Sequence, residues 1–162
     1  MSKLALVLRE LHRSETNLAR DLLALSDRHR ADPEIHHVGR DIARWSQIHV
    51  RRIAEVGRDY GIKLQPQPRW HYGPLSRLAQ RAGCALRRRP EAGLLLLADL
   101  RRVHRKAAGV SLDWELLAQA AQAMKEQPLL DLAGSCHPQT LRQMRWANSK
   151  VKETAAQTMV TG

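Results

Sequence analysis

A chain of 162 residues with 43% apolar content is the size of one domain with one hydrophobic core, so a second independently folded unit is not expected. Aromatic residues make up only 4%, Phe is absent, and Leu, Ala, Arg and Gln are abundant, so straight-chain helix formers outnumber the residues that strands favour. The formal charge is +11 and 21 of the 27 basic side chains are arginine, which raises nucleic acid or another polyanion as a partner beside the plainer reading of a solvated surface.

Helix 1 is predicted from Leu4, because Leu4, Leu8, Leu11, Leu18, Leu22 and Leu25 alternate steps of four and three residues and keep one side of a helix apolar. This stripe misses one beat, at Glu15, and ends near Arg30. Ala31-Asp32-Pro33 reads as a tight turn, with Asp32 as N-cap and Pro33 in the first position of helix 2. The second stripe is Ile35, Val38, Ile42, Trp45, Ile53, Val56 and Tyr60; its missing beat is His49, and it ends at Gly61. Between 63 and 90 the pattern breaks up around Pro66, Pro68, Pro74 and Pro90, leaving room for a short helix over 75–86.

The third stripe is the cleanest: Leu96, Leu100, Val103, Ala107, Val110, Trp114, Leu117, Ala121 and Met124, with Gly109 as a place to bend. Residues 125–128 read as the next turn, and the last stripe covers Leu129, Leu132, Cys136, Thr140, Met144, Ala147 and Val151. Pro138 is expected to kink this helix or to mark its true start.

These elements predict an all-α fold, an antiparallel four-helix bundle occupying 1–162 as a single domain, with a long crossover between helices 2 and 3. Two of the three connections are a few residues long and join antiparallel neighbours. The middle one, about 27 residues, is long enough to travel the bundle, since a 30-residue helix at 1.5 Å per residue spans roughly 45 Å. Helix 3 then starts beside the start of helix 2.

Two of the stripes carry a polar residue where an apolar one is due. Counted from the first turn, Glu15 lies about 16 residues down helix 1 and His49 about 17 down helix 2, so the two are expected level and facing inward. The same depth on helix 3 falls near residue 106, with His104 beside it. An ionised Glu on a core seam costs several kcal/mol unless paired, and His49 is the expected partner. Three readings are open: a Glu–His hydrogen bond that sets helix register, a metal site built from Glu15, His49 and His104, or a pocket for a small polar ligand.

The inward Glu15, the stretch SQIHVRRIAEVGRDYGIKL at 46–64 and the long connection to a second helix pair resemble the ferritin-like superfamily, in particular its small stress-associated members. That resemblance implies a carboxylate-bridged iron or manganese centre, with one Glu on each of two helices and a Glu-x-x-His pair on each of the other two. Glu15 matches the first-helix Glu and His49 the histidine of the second-helix pair, but Ser46 stands where that pair's Glu belongs. Helix 3 offers Asp99 and His104, and helix 4 offers Gln143, Met144 and Asn148, which are poor ligands for a hard metal. The expectation is a non-catalytic binding or structural protein with a reduced or lost metal centre. An iron- or manganese-binding oxidase or storage-type protein is the alternative.

Other chemistry is sparse. Neither a Ser-His-Asp nor a Cys-His arrangement can be argued from spacing, and no glycine-rich phosphate loop follows a strand. Glu34-x-x-His37, beside His36 and within reach of His29, lies at the first turn, where histidines are ordinarily surface residues. Cys84 and Cys136 form no CxxC pair, and Cys136 reads as a core residue.

The segment 77–106 holds nine Arg or Lys against Glu91 and Asp99, a net of seven positive charges. Arg87, Arg88, Arg89, Arg101, Arg102 and Arg105 are its candidate anion-binding residues, suited to non-specific DNA binding through phosphates. Trp70-His71-Tyr72-Gly73-Pro74 is an aromatic stretch that either packs on the bundle or serves self-association as a homodimer. The N-terminus becomes charged within nine residues, too soon for a secretory apolar region, and the longest apolar run, 94–98, is far short of a membrane span. A cytoplasmic protein with no membrane partner is expected.

Overall fold

The computed structural model of the chain describes residues 2–70 and 91–160, and within them there are four helices and no strand. They are α1 (Lys3–Arg28), α2 (Pro33–Asp59), α3 (Ala92–Met124) and α4 (Gln127–Val160). The expected short helix over 75–86, the aromatic stretch beyond Trp70 and Arg87, Arg88 and Arg89 lie outside the described residues.

The helix ends follow the local chemistry. Ser2 Oγ accepts from the Ala5 backbone N–H at 3.1 Å, and Asp32 Oδ1 accepts from Glu34 and Ile35 at 3.0 and 3.1 Å, with Pro33 opening α2 as expected. At the far end of α2 the chain turns through Gly61 at φ +70°, and Ile62 N–H closes onto Gly57 C=O at 2.8 Å. The end of α3 uses the same device: Glu126 N–H reaches Ala121 C=O at 2.9 Å, but Lys125 occupies the left-handed position at φ 58°.

The apolar stripes form one cluster drawn from all four helices, with Leu8, Leu18, Leu22, Ile53, Leu100, Trp114, Leu117 and Leu129 fully enclosed. Met124, expected as the last residue of the third stripe, is instead 50% exposed, because α3 ends there and the chain turns away. One more expectation is corrected: α4 starts at Gln127, so Pro138 lies inside the helix and does not mark its start, while α3 runs as one helix through Gly109. Pro138 and Gly134, whose carbonyl loses its usual helical donor, are both exposed, so water can hydrate the freed oxygen and the helix need not start later.

Packing is fourfold: α1 lies against α2 and α3, and α4 lies against α2 and α3, leaving α2 and α3 on one diagonal. Side-chain pairs record the register. Between α1 and α2, Ser26 meets His36 and Glu15 meets His49; between α1 and α3, Arg28 meets Asp99, Asp21 meets Lys106 and Glu15 meets Trp114. Between α2 and α4, Glu34 meets Lys150, Ile42 meets Gln143 and Arg52 meets Cys136; between α3 and α4, His104 meets Met144 and Ser111 meets His137. In every pair of neighbours the numbers fall along one helix as they rise along the other.

After α2 the chain runs along the outside of α1, where His12 Nε2 contacts Gln65 C=O at 2.7 Å and Arg20 Nε donates to Arg69 C=O at 2.8 Å. Eight helical residues advance about 12 Å, which four extended residues also cover, so 65–69 travels along α1 nearly straight. Trp70 then packs on the core cluster, as expected for the start of the aromatic stretch. None of the described helices is long and apolar enough to cross a membrane.

Candidate functional site: a polar layer across the core

The two missing beats meet. Glu15 and His49 are both fully buried, and His49 Nδ1–H donates to Glu15 Oε1 at 2.7 Å. The same oxygen accepts Trp114 Nε1–H from α3 at 2.8 Å and Thr140 Oγ1–H from α4 at 3.3 Å, so donors from three helices converge on a carboxylate supplied by the fourth. The other nitrogen of His49 stands 2.7 Å from the Gln139 side-chain amide oxygen. The His49 and Trp114 rings meet edge to face, centroids 5.7 Å apart.

One turn away, Gln143 fills the space beside Ser46, its Nε2 donating to Ile42 C=O at 2.7 Å and to Ser46 Oγ at 2.9 Å. Three hydrogen bonds on one oxygen compensate the burial of the Glu15 carboxylate. Its second oxygen, Oε2, is buried and accepts none among the described residues.

His104 does not join this layer. It stands ten positions before Trp114, roughly 15 Å along α3, and its Nδ1 donates to Met144 C=O at 3.1 Å. The expected depth on helix 3 was short because α3 begins above the level of the first turn: Asp99, already in its second turn, is level with Arg28 at the end of α1.

Trp114 is therefore the residue that sequence reasoning passed over, having been counted only as an apolar beat. The available signal was its indole N–H, which must find an acceptor when the ring is enclosed, together with a lone Glu on a facing seam. Gln139 carried no such signal, since it flanks the α4 stripe.

The layer does not suit a di-metal centre of the kind the ferritin-like resemblance implies. That centre needs several carboxylates, and among the described residues Glu15 is the only one in the layer; Ser46, Trp114, Thr140 and Gln143 occupy inward positions at or near its level. Both ring nitrogens of His49 are committed, so metal ligation would first have to break a hydrogen bond. Among the described residues no group of three or more His, Cys, Asp or Glu side chains has the geometry to hold a metal ion.

Of the histidines near the first turn, His37 is exposed and the other two are engaged elsewhere. His29 Nε2 lies 2.8 Å from Asp99 Oδ2, His36 bonds to Ser26, and Glu34 is an ion-pair partner of Lys150.

Asp21 and Asp99 are buried acids as well, Asp21 paired with Lys106. Arg28 Nη1 contacts both oxygens of Asp99 at 2.7 Å, and Arg102 Nη1 lies 4.0 Å away. Burial pushes the Asp99 carboxyl up, but the His29 hydrogen bond and the charge and hydrogen bond of Arg28 outweigh it and hold the carboxyl below its ordinary value. At the opposite end, burial and then the hydrogen bond to Glu126 push the Tyr60 phenol up to about 12. Burial likewise raises the Cys136 thiol to about 11, against the opposing charge of Arg52, which fits the core role expected of it.

Of the expected anion-binding residues, Arg101, Arg102 and Arg105 lie exposed on α3 and, with Ala98 and Lys106, line a groove of about 490 Å³. No family model, curated protein or solved structure matches the chain.

Proposed function

We propose that the protein is a non-catalytic binding or structural protein of the ferritin-like, stress-associated kind, cytoplasmic, in which a hydrogen-bonded lock has replaced the metal centre. In this reading the bundle is antiparallel and a long crossover joins α2 to α3. The opposed numbering of all four neighbouring pairs, and the course of 65–69 along α1, support that topology.

The observation that carries the reading is Trp114 Nε1–H on Glu15 Oε1. An indole donor takes up the carboxylate oxygen that a metal-bridging Glu would offer to the ion, and Trp has no lone pair to offer in return. The layer then contributes specificity: with donors from α2, α3 and α4 converging on α1, a one-turn slip of α1 strips the buried carboxylate of all three, and a slip of any other helix removes one of them.

Elemental analysis of protein purified without chelators tests this. Iron, manganese and zinc are expected well below one equivalent, in wild type and His49→Gln alike. Stoichiometric metal that is lost in the folded His49→Gln variant would overturn the reading in favour of an iron- or manganese-binding protein.

A further inference from the structure

The exposed cations of α3 have no use in the buried layer, and the nearby acids are already spent. Asp99 is held by Arg28 and His29, so Arg102, 4.0 Å from it, retains most of its charge. Asp21 is paired with Lys106 at 2.9 Å. Arg101 and Arg105 have no carboxylate partner among the described residues, and both are exposed.

Four cations thus line one groove of about 490 Å³ on one helix face. Arg101 and Arg105 are one turn apart, about 6 Å along the axis. Their guanidinium forks match phosphate oxygens in pairs, as an ammonium does not. Among the described residues lining the groove Ala98 is the only apolar one, and none is an aromatic that could stack on a base or an amide that could read one.

We infer that this face of α3 binds the phosphodiester backbone of nucleic acid, without regard to base sequence, through Arg101, Arg102 and Arg105. The net charge of +11 adds long-range attraction for the same partner. The surface is separate from the Glu15 layer, and its function does not depend on the protein's metal content.

Binding of a fluorescein-labelled mixed-sequence DNA duplex, followed by fluorescence polarisation, tests the inference. With each phosphate contact contributing about −0.9 to the slope of log K against log salt, three contacts predict a slope of about −2.7 and roughly a 40-fold loss between 50 and 200 mM salt. Arg101→Ala/Arg105→Ala is expected to weaken binding at least tenfold at low salt and to flatten the slope by about two. Both positions are exposed in mid-helix, where Ala is well tolerated.

Arg51→Ala/Arg58→Ala removes equal charge from exposed positions on α2, across the diagonal, and is expected to change affinity less than twofold. Undetectable duplex binding at low salt overturns the inference, as does equal weakening by the two double variants. Retention on phosphatidylserine vesicles without duplex binding overturns it in favour of a lipid headgroup.

Discussion

Trp114 and His49 stand edge to face, their ring planes at 86°, and both donate to a single oxygen of Glu15. Trp114→Phe keeps a six-membered ring but removes the N–H together with the rest of the five-membered ring. A hydrogen bond to a charged group contributes about 1.5–3 kcal/mol and the small cavity adds to it, so urea unfolding should show a loss of at least that size. A loss under about 0.5 kcal/mol would mean that the indole donor does not hold the carboxylate.

The Glu15–His49 pair is buried on both sides, so removing either partner strands the other. Glu15→Ala and His49→Ala are each expected to cost about 3–5 kcal/mol, and the double variant less than their sum, with a coupling energy above about 1 kcal/mol. Additivity within about 0.5 kcal/mol would show the two residues acting independently.

Asp99 sets a pH dependence whose sign follows from its lowered carboxyl. Its contribution is complete above the unfolded-state value, about 3.9, and is lost as pH falls through the lower folded value. Asp99→Asn should therefore destabilise at neutral pH, and its deficit relative to wild type should shrink below about pH 4. A deficit that stays constant from pH 6 to pH 2 would contradict the Arg28 and His29 pairing as its source.

Two backbone positions should accept stabilising changes. Gly109 is exposed in mid-helix, and a Cβ there meets nothing within 4 Å, so Gly109→Ala should gain about 0.5–1 kcal/mol. Lys125 holds φ 58°, where glycine is unstrained, and Lys125→Gly should gain a similar amount. Each should raise Tm by a few degrees in a chain of this size. A fall in Tm for Gly109→Ala would mean that the outer face of α3 is covered in the native protein.

Cys136 should resist thiol reagents. With its thiol raised to about 11 and fully enclosed, a Cys84→Ser variant at neutral pH should react with Ellman's reagent only as fast as it unfolds. Rapid stoichiometric labelling under native conditions would show that the α2–α4 seam opens readily.

Much of this was readable in advance, for reasons that are local. A period of 3.6 in Leu, Val, Ile and Ala identifies a helix whatever it packs against, and Asp32-Pro33 and Gly61 end or begin helices through their own dihedral preferences and side-chain oxygens. Glu15 and His49 stood out because each broke an otherwise apolar seam, and similar depth from a short turn was enough to bring them level. Residues 125–128 marked the α3–α4 turn, although only Lys125 and Glu126 lie outside the helices.

Register across the long connection was not local. The start of α3 relative to α1 depends on how far helix and crossover overhang the first turn, and an error of eight residues exchanged Trp114 for the neighbourhood of His104. Pro138 did not mark the start of α4, because its exposure leaves the freed Gly134 carbonyl open to water, and exposure is a property of packing. The chain's own order of residues thus determined four amphipathic helices, their two tight turns and the acid–imidazole pair between α1 and α2. Tertiary packing alone decided which α3 and α4 side chains close over that pair and which arginines are left without acids, because both depend on helix register summed over distances that no short-range preference spans.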